Sequence, residues 1–231
     1  MSITAKKRHQ LEQLLQQSIT SIQALQGRCV AQVYRLRRQD GSDVVVKYAE
    51  QGLDIEAKML QYLAQQKQPV PHIIYHDTQT LLLSWIANSG HINANVETHA
   101  AQLLCHLHQV SYPQYGFAWD TCIGGLHQPN QWQSSWLQFY AQQRLMYMEN
   151  LAYQRQKMPK QLLHRVEILC AHLKEYLHEP TKPSLIHGDI WEGNILCQQN
   201  KVVAWIDPAI YTHPTSRCRI SANREAFMFE A

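Results

Sequence analysis

The stretch from 184 to 211 constrains this chain more than any other. It reads Ser-Leu-Ile-His187-Gly188-Asp189-Ile-Trp191-Glu-Gly-Asn194-Ile-Leu, a short polar interruption, then Lys-Val-Val-Ala-Trp-Ile-Asp207-Pro-Ala-Ile-Tyr211. Gln198-Gln199-Asn200 separates two apolar runs and reads as the turn of a β-hairpin. The loop before the hairpin carries Asp189 and Asn194, and the second run ends at Asp207, so closing the hairpin returns Asp207 to the side of Asn194. An isolated His-Gly-Asp would say little, because Gly and Asp are ordinary turn residues. Two carboxylates and one carboxamide on a strand, loop, strand, loop framework say more. They match what phosphoryl transfer to a hydroxyl requires: Asp189 to orient the attacking hydroxyl, and hard oxygens from Asn194 and Asp207 to hold Mg²⁺ on the phosphates. His187 is expected to brace the loop by hydrogen bonding.

Upstream, residues 6–25 place Leu11, Leu14, Leu15, Ile19 and Ile22 at helical spacing, which predicts one amphipathic helix. Residues 29–37 and 43–49 are rich in Val and Tyr and flank Gln39-Asp40-Gly41-Ser42, a turn signal, so they predict a β-hairpin. Its second strand sends Val45 and Lys47 to one face and Val44 and Val46 to the other. Lys47 thus stands on a largely apolar strand, as an exposed edge residue or as a functional cation. A helix follows over 53–66, with Ile55, Met59, Leu60 and Leu63 as its apolar stripe. Glu56, one turn from its start, is either surface charge or a partner for Lys47. Pro69-Val-Pro71 ends this helix, and strand-like runs follow at 72–75 and 81–86 around a turn at 77–80. Asn88 to Gly90 reads as a linker, after which helical patterns occupy 96–109, 132–153 and 161–177.

Composition narrows the class. A chain of 231 residues with a formal net charge of +3 can bury two small cores and lacks the continuous basic face of a nucleic-acid binder. Apolar runs are too short for a membrane span, and the Gln-rich N-terminus breaks any signal core, so a soluble, cytoplasmic protein is expected. Six singly scattered cysteines argue against a disulfide framework or a thiolate zinc site and fit reduced thiols.

The motif His187-Gly-Asp-Ile-Trp191-Glu-Gly-Asn194, with Asp207-Pro-Ala-Ile-Tyr211, resembles the fructosamine kinase family, relatives of aminoglycoside phosphotransferases within the protein-kinase-like fold. A second stretch is also similar to that family: Tyr115-Gly-Phe117, Ile123-Gly124, Gln128-Pro-Asn130, Trp132, Trp136-Leu-Gln-Phe139 and Arg144-Leu. Together the resemblance covers roughly residues 15–211. It implies an α+β, two-lobed fold with a small mixed lobe over 1–87, a mainly helical lobe over 88–211 and an atypical tail over 212–231. The activity it implies is ATP- and Mg²⁺-dependent phosphorylation of the sugar 3-hydroxyl of ketosamines, free or protein-bound, which leads to repair of the glycated amine. Alternatives are a kinase of aminoglycosides or choline, or a non-catalytic nucleotide-binding remnant. Carried over by position, Asp189 is the proton acceptor, Asn194 and Asp207 are the metal ligands, and Lys47 with Glu56 forms the phosphate-binding pair. Ser84, Trp85 and Ile86 form the hinge whose backbone meets adenine, although the family usually has a carboxylate near Ser84. Around Gly27 the phosphate-covering loop has only one glycine. After Tyr211 the sequence departs from the family, turning basic and patternless, as expected of a truncated or frameshifted member without the usual C-terminal helices.

Overall fold

The computed structural model describes residues 3–25, 31–179 and 182–214. Helix α1 spans Ala5–Leu15, capped by Thr4, whose hydroxyl accepts from the Lys7 amide at 3.3 Å. It ends where Gln16 turns left-handed, with φ 52°. The expected single helix over 6–25 therefore stops short, and Ile19–Leu25 forms strand β1 instead. β-Branched residues at Ile19, Thr20 and Ile22 favour the extended state once the cap has broken the helix.

Strands β2 (Gln32–Arg38) and β3 (Asp43–Tyr48) form the expected hairpin. In its turn the Asp40 carboxylate accepts from the Ser42 amide at 2.9 Å, and Gly41 takes φ 82°. Helix α2 is Leu53–Gln65, followed by β4 (Ile73–His76) and β5 (Thr80–Ser84). These strands complete an antiparallel sheet in the order β1-β2-β3-β5-β4. Alternation along β3 gives the sheet two apolar faces. Val44 and Val46 pack with Leu11, Leu15 and Ile19, whereas Val45 packs with Leu53, Ala57 and Leu60 of α2. On α2 the buried stripe is Leu53, Ala57, Met59, Leu60 and Leu63, while Ile55 is only half-buried.

Helix α3 (Ala94–Leu107) is followed by short strands β6 (Thr121–Ile123) and β7 (Leu126–Gln128). The helix expected over 132–153 begins later, at Trp136, where the Ser135 hydroxyl accepts from the Gln138 amide at 3.2 Å. It runs as α4 (Trp136–Tyr140), a π-helical stretch Ala141–Met146, and α5 (Tyr147–Gln154). The wide turn carries Arg144, whose guanidinium donates to the Pro129 carbonyl at 2.7 Å and the Asn130 side chain at 2.6 Å, and lies 4.1 Å from the Tyr211 ring centre. Much of the mid-chain motif thus serves packing. Helices α6 (Lys160–Ala171) and α7 (Leu173–Tyr176) follow.

Strand β8 (Pro183–Ile186) pairs with β11 (Tyr211–Pro214), and β9 (Ile195–Gln198) pairs with β10 (Lys201–Trp205). The β9–β10 turn uses Gln199 and Asn200, both with positive φ, as a tight hairpin demands. Of the stretch 212–231, Thr212 to Pro214 continue β11, and 215–231 lies outside the described residues, as does the loop around Gly27.

Contacts divide the chain into two compact units. One comprises Met1–His99, Cys122–Leu126 and Asp189–Pro208; the other comprises Ala100–Thr121, His127–Gly188 and Ala209–Ala231. This partition differs from a single cut at residue 88, because the β9–β10 hairpin is anchored within the first unit. Buried Trp205 donates its indole N–H to Gln68 at 3.1 Å and its amide to Pro69 at 2.8 Å, and the Cys197 amide donates to Asn88 at 2.9 Å. Cys122, Cys170 and Cys197 are free thiols. Among the described residues, no helix is long and apolar enough to cross a membrane.

Candidate functional site

Lys47 is the penultimate residue of β3, a central strand of the sheet, and lies between Val33 of β2 and Leu81 of β5 on the face that packs against α2. Strands on both sides and a helix over the face leave it only 7% exposed. An ammonium buried this far needs carboxylate partners. It has two. Its Nζ lies 2.6 Å from the Glu56 carboxylate and also contacts Asp207. Of the two readings open for Lys47, the exposed edge residue is thereby excluded, and Glu56 is no surface charge.

Glu56 lies in the first turn of α2, where the helix dipole favours an acid. Gly52, with φ 89°, starts that helix and accepts from the Glu56 amide at 3.0 Å. Asp207 follows β10 with φ 55°, a left-handed conformation that Asp tolerates better than most residues but which still stores strain. The conformation turns its side chain onto Lys47. Asn194 ends a short 3₁₀ turn, Glu192–Asn194, and its carbonyl accepts from the Ile206 amide at 3.1 Å. The hairpin thus brings the chain around Asp207 back to Asn194.

Asn194 is 3% exposed, and its amide nitrogen donates to both the backbone carbonyl and the carboxylate of Asp189, each at 2.9 Å. With the NH₂ committed to Asp189, the amide oxygen of Asn194 is turned elsewhere and can serve as a hard ligand. Asn194 and Asp207 therefore offer oxygen donors of the kind Mg²⁺ takes, and the donor set fits that ion. Among the described residues, no group of three or more His, Cys, Asp and Glu side chains is arranged to hold a metal on its own.

Electrostatics follow from burial and proximity. Burial opposes the charge on Lys47, but Glu56 and Asp207 outweigh it and hold its pKa above the ordinary lysine value. Burial raises the Glu56 carboxyl; Lys47 opposes this and Asp207 adds to it. Burial also raises Asp189, against the Asn194 hydrogen bond and with help from Asp207. Near Glu56 the Cys122 thiol is pushed up to about 12 by burial and by the Glu56 and Asp54 carboxylates.

The adenine hinge expected at Ser84, Trp85 and Ile86 begins at the last rung of the sheet, where Ser84 pairs with Val44. The backbone of Trp85 and Ile86 continues beyond that rung. The Ser84 hydroxyl accepts from the His72 amide at 2.9 Å, so the serine is used within the β4–β5 corner. A groove of about 930 Å³ beside α1, lined by Leu11, Tyr48 and Tyr75, includes none of these residues. His187 is fully buried, and its carbonyl accepts from Ala209 at 2.8 Å. Gly188 has φ 84°, and a Cβ there would collide with the Ala209 carbonyl. Gly188→Ala is therefore expected to lower unfolding free energy by about 2 kcal/mol or more, readable in urea melts, whereas Gly90→Ala, at φ 67° but in open space, should cost only the backbone term of about 1–2 kcal/mol.

Known proteins resemble this chain over most of its length. The family model described as fructosamine kinase matches residues 2–216. A relative named a probable ketoamine kinase, from Synechocystis sp., is 33% identical over 204 residues, which cover 81% of this chain and 65% of that protein. The chain thus spans less than two thirds of that curated relative's length. A crystal structure assigned as a fructosamine-3-kinase from Thermobifida fusca superposes with a TM-score of 0.74 at 26% identity, covering 88% of this chain and 73% of that one. An aminoglycoside phosphotransferase solved with streptomycin and ATP superposes with a TM-score of 0.62 at 13% identity, covering 93% and 73%. At that identity the likeness concerns the fold alone, which is the kinase-like α+β arrangement expected from the sequence.

Proposed function

The chain belongs to the fructosamine kinase family, and from that premise we propose that it transfers the terminal phosphoryl group of ATP to a sugar hydroxyl of a ketosamine. The observation that carries the reading is the pair of linked clamps in the first unit: Lys47 held between Glu56 and Asp207, and Asn194 holding Asp189.

Asp189 accepts a hydrogen bond from the attacking hydroxyl and takes its proton as the oxygen–phosphorus bond forms and the bond to the leaving ADP oxygen breaks. Its raised pKa makes it a better acceptor than an exposed aspartate. The Asn194 amide holds the carboxylate in one orientation, so less ordering is left for the reaction step. Lys47 directs its positive charge to the phosphate oxygens, and Glu56 keeps it in place. Mg²⁺, held by Asn194 and Asp207, would supply charge neutralisation on the phosphates. Backbone groups of Ser84, Trp85 and Ile86 read the adenine. An enzyme of this kind draws on cellular ATP, and we propose a cytoplasmic location for it.

The test is phosphate transfer from radiolabelled ATP to ribulosyl-lysine or fructosyl-lysine, with Mg²⁺, against a panel of aminoglycosides and choline. Labelled ketosamine phosphate is the expected product. Turnover of an aminoglycoside or choline alone would replace the substrate class, and nucleotide binding without any turnover would leave a binding remnant.

A further inference from the structure

Strand pairing shows which residues share the face of Lys47. Val33 stands opposite Lys47, Arg35 opposite Val45, and Arg37 opposite Asp43, while Leu81 and Leu83 flank Lys47 and Val45 from β5. Side chains alternate between faces, so Trp85, two residues after Leu83, continues the same face at the end where the base is read. Arg35 lies over it, with its guanidinium carbon 4.1 Å from the Trp85 ring centre. That guanidinium is itself anchored: its Nε donates to Asp43 Oδ2 at 3.0 Å, and a second nitrogen closes on the same oxygen. The Asp43 side chain is 7% exposed and is also engaged by Arg37 at 2.8 Å.

We propose that Arg35 is a positioning residue for the nucleobase: clamped by Asp43, it stacks on Trp85 and holds the hinge backbone in the conformation that reads adenine. This rests on the kinase reading above and adds to it a residue that neither the loop motif nor the family carry-over singled out. The physical argument is preorganisation. A planar guanidinium fixed on a buried carboxylate loses little freedom when it stacks, and an indole stacked on it is restrained in χ1 and χ2, which restrains its own backbone. Lysine could keep the charge but not the planar stack or the double contact with one carboxylate oxygen.

Binding of ATP and of adenosine to wild type, Arg35→Ala and Arg35→Lys, each checked for folding by circular dichroism, tests the assignment. Arg35→Ala is expected to weaken both ligands by the same factor, roughly 3- to 30-fold, the range a stacked cation supplies. Arg35→Lys should show a smaller loss in both, and it provides the test if the alanine variant does not fold. Loss confined to ATP would mean that Arg35 acts on phosphate and would overturn the proposal. Unchanged binding of both ligands to both variants would overturn it while leaving the kinase reading intact. Failure of wild type to bind ATP or adenosine would remove the kinase reading and this inference together.

Discussion

Asp189→Asn is expected to lower kcat about 10³-fold while leaving the Kd for ATP within about two-fold, because it removes a proton acceptor and keeps the side-chain shape. The asymmetry between the two constants is the informative part. Asp189 is held by Asn194 and lies within electrostatic reach of Asp207, whereas Lys47 is held by Glu56 and Asp207, so nucleotide binding should not feel the change. A pH profile adds a second reading. Burial first, and Asp207 after it, place the Asp189 carboxyl above its ordinary value in spite of the Asn194 hydrogen bond. The base must be ionised to accept the proton, so wild-type kcat/KM should climb as pH rises through that elevated value and level off above it. The residual activity of the variant should lack this limb. Equal kcat in the two proteins, or a variant that retains the acidic limb, would remove Asp189 from its role.

The second large effect is on stability. Lys47→Met is expected to cost about 3 kcal/mol of unfolding free energy at pH 8, the lower end for breaking a buried ion pair, because the Asp207 side chain is 25% exposed and keeps part of its hydration. The ammonium is the common partner of two carboxylates, and its removal leaves Glu56 and Asp207 facing one another in a site that excludes most water. Glu56 already has a raised pKa from burial, with Lys47 as the opposing influence, so the variant raises it further. A carboxyl whose folded pKa exceeds its unfolded one contributes stability that is present below the unfolded value and is lost as pH rises through the folded one. The deficit of the variant should therefore be smallest near pH 5 and grow toward pH 8, as read from urea melts across that window. Adding Glu56→Gln should recover more than half of the loss by removing the uncompensated charge. A deficit of the same size at every pH, or no recovery in the double variant, would show that Lys47 contributes through packing of its alkyl chain instead.

Legibility differed from element to element for reasons that can be named. The β2–β3 hairpin could be read because its signals are local: Asp40 and Gly41 serve a turn whose geometry they alone favour, and period-two alternation along β3 marks two faces. The β9–β10 hairpin was legible on the same grounds, and with it the return of the chain to Asn194. The N-terminal segment reads as one helix in the sequence because Leu11, Leu15, Ile19 and Ile22 satisfy a helical period across a break that depends on Gln16 adopting a left-handed cap. Periodicity does not detect a cap carried by an ordinary residue. Nor did it detect the π-helical stretch at 141–146, where the extra residue per turn lets Arg144 reach Pro129 and Asn130.

Taken alone, the sequence determined the residue types of the site, the hairpin that returns the chain around Asp207 to Asn194, and the face of β3 on which Lys47 lies. Each depends on turn chemistry or strand alternation within a short span of chain. Only the tertiary structure decided that Lys47 is buried, that it bridges Glu56 and Asp207, that Arg35 covers Trp85, and that Trp205 ties the hairpin to Gln68. These pairings join residues distant in the chain, and they form because packed apolar faces bring charged groups together where water is excluded and an unpaired charge would be costly.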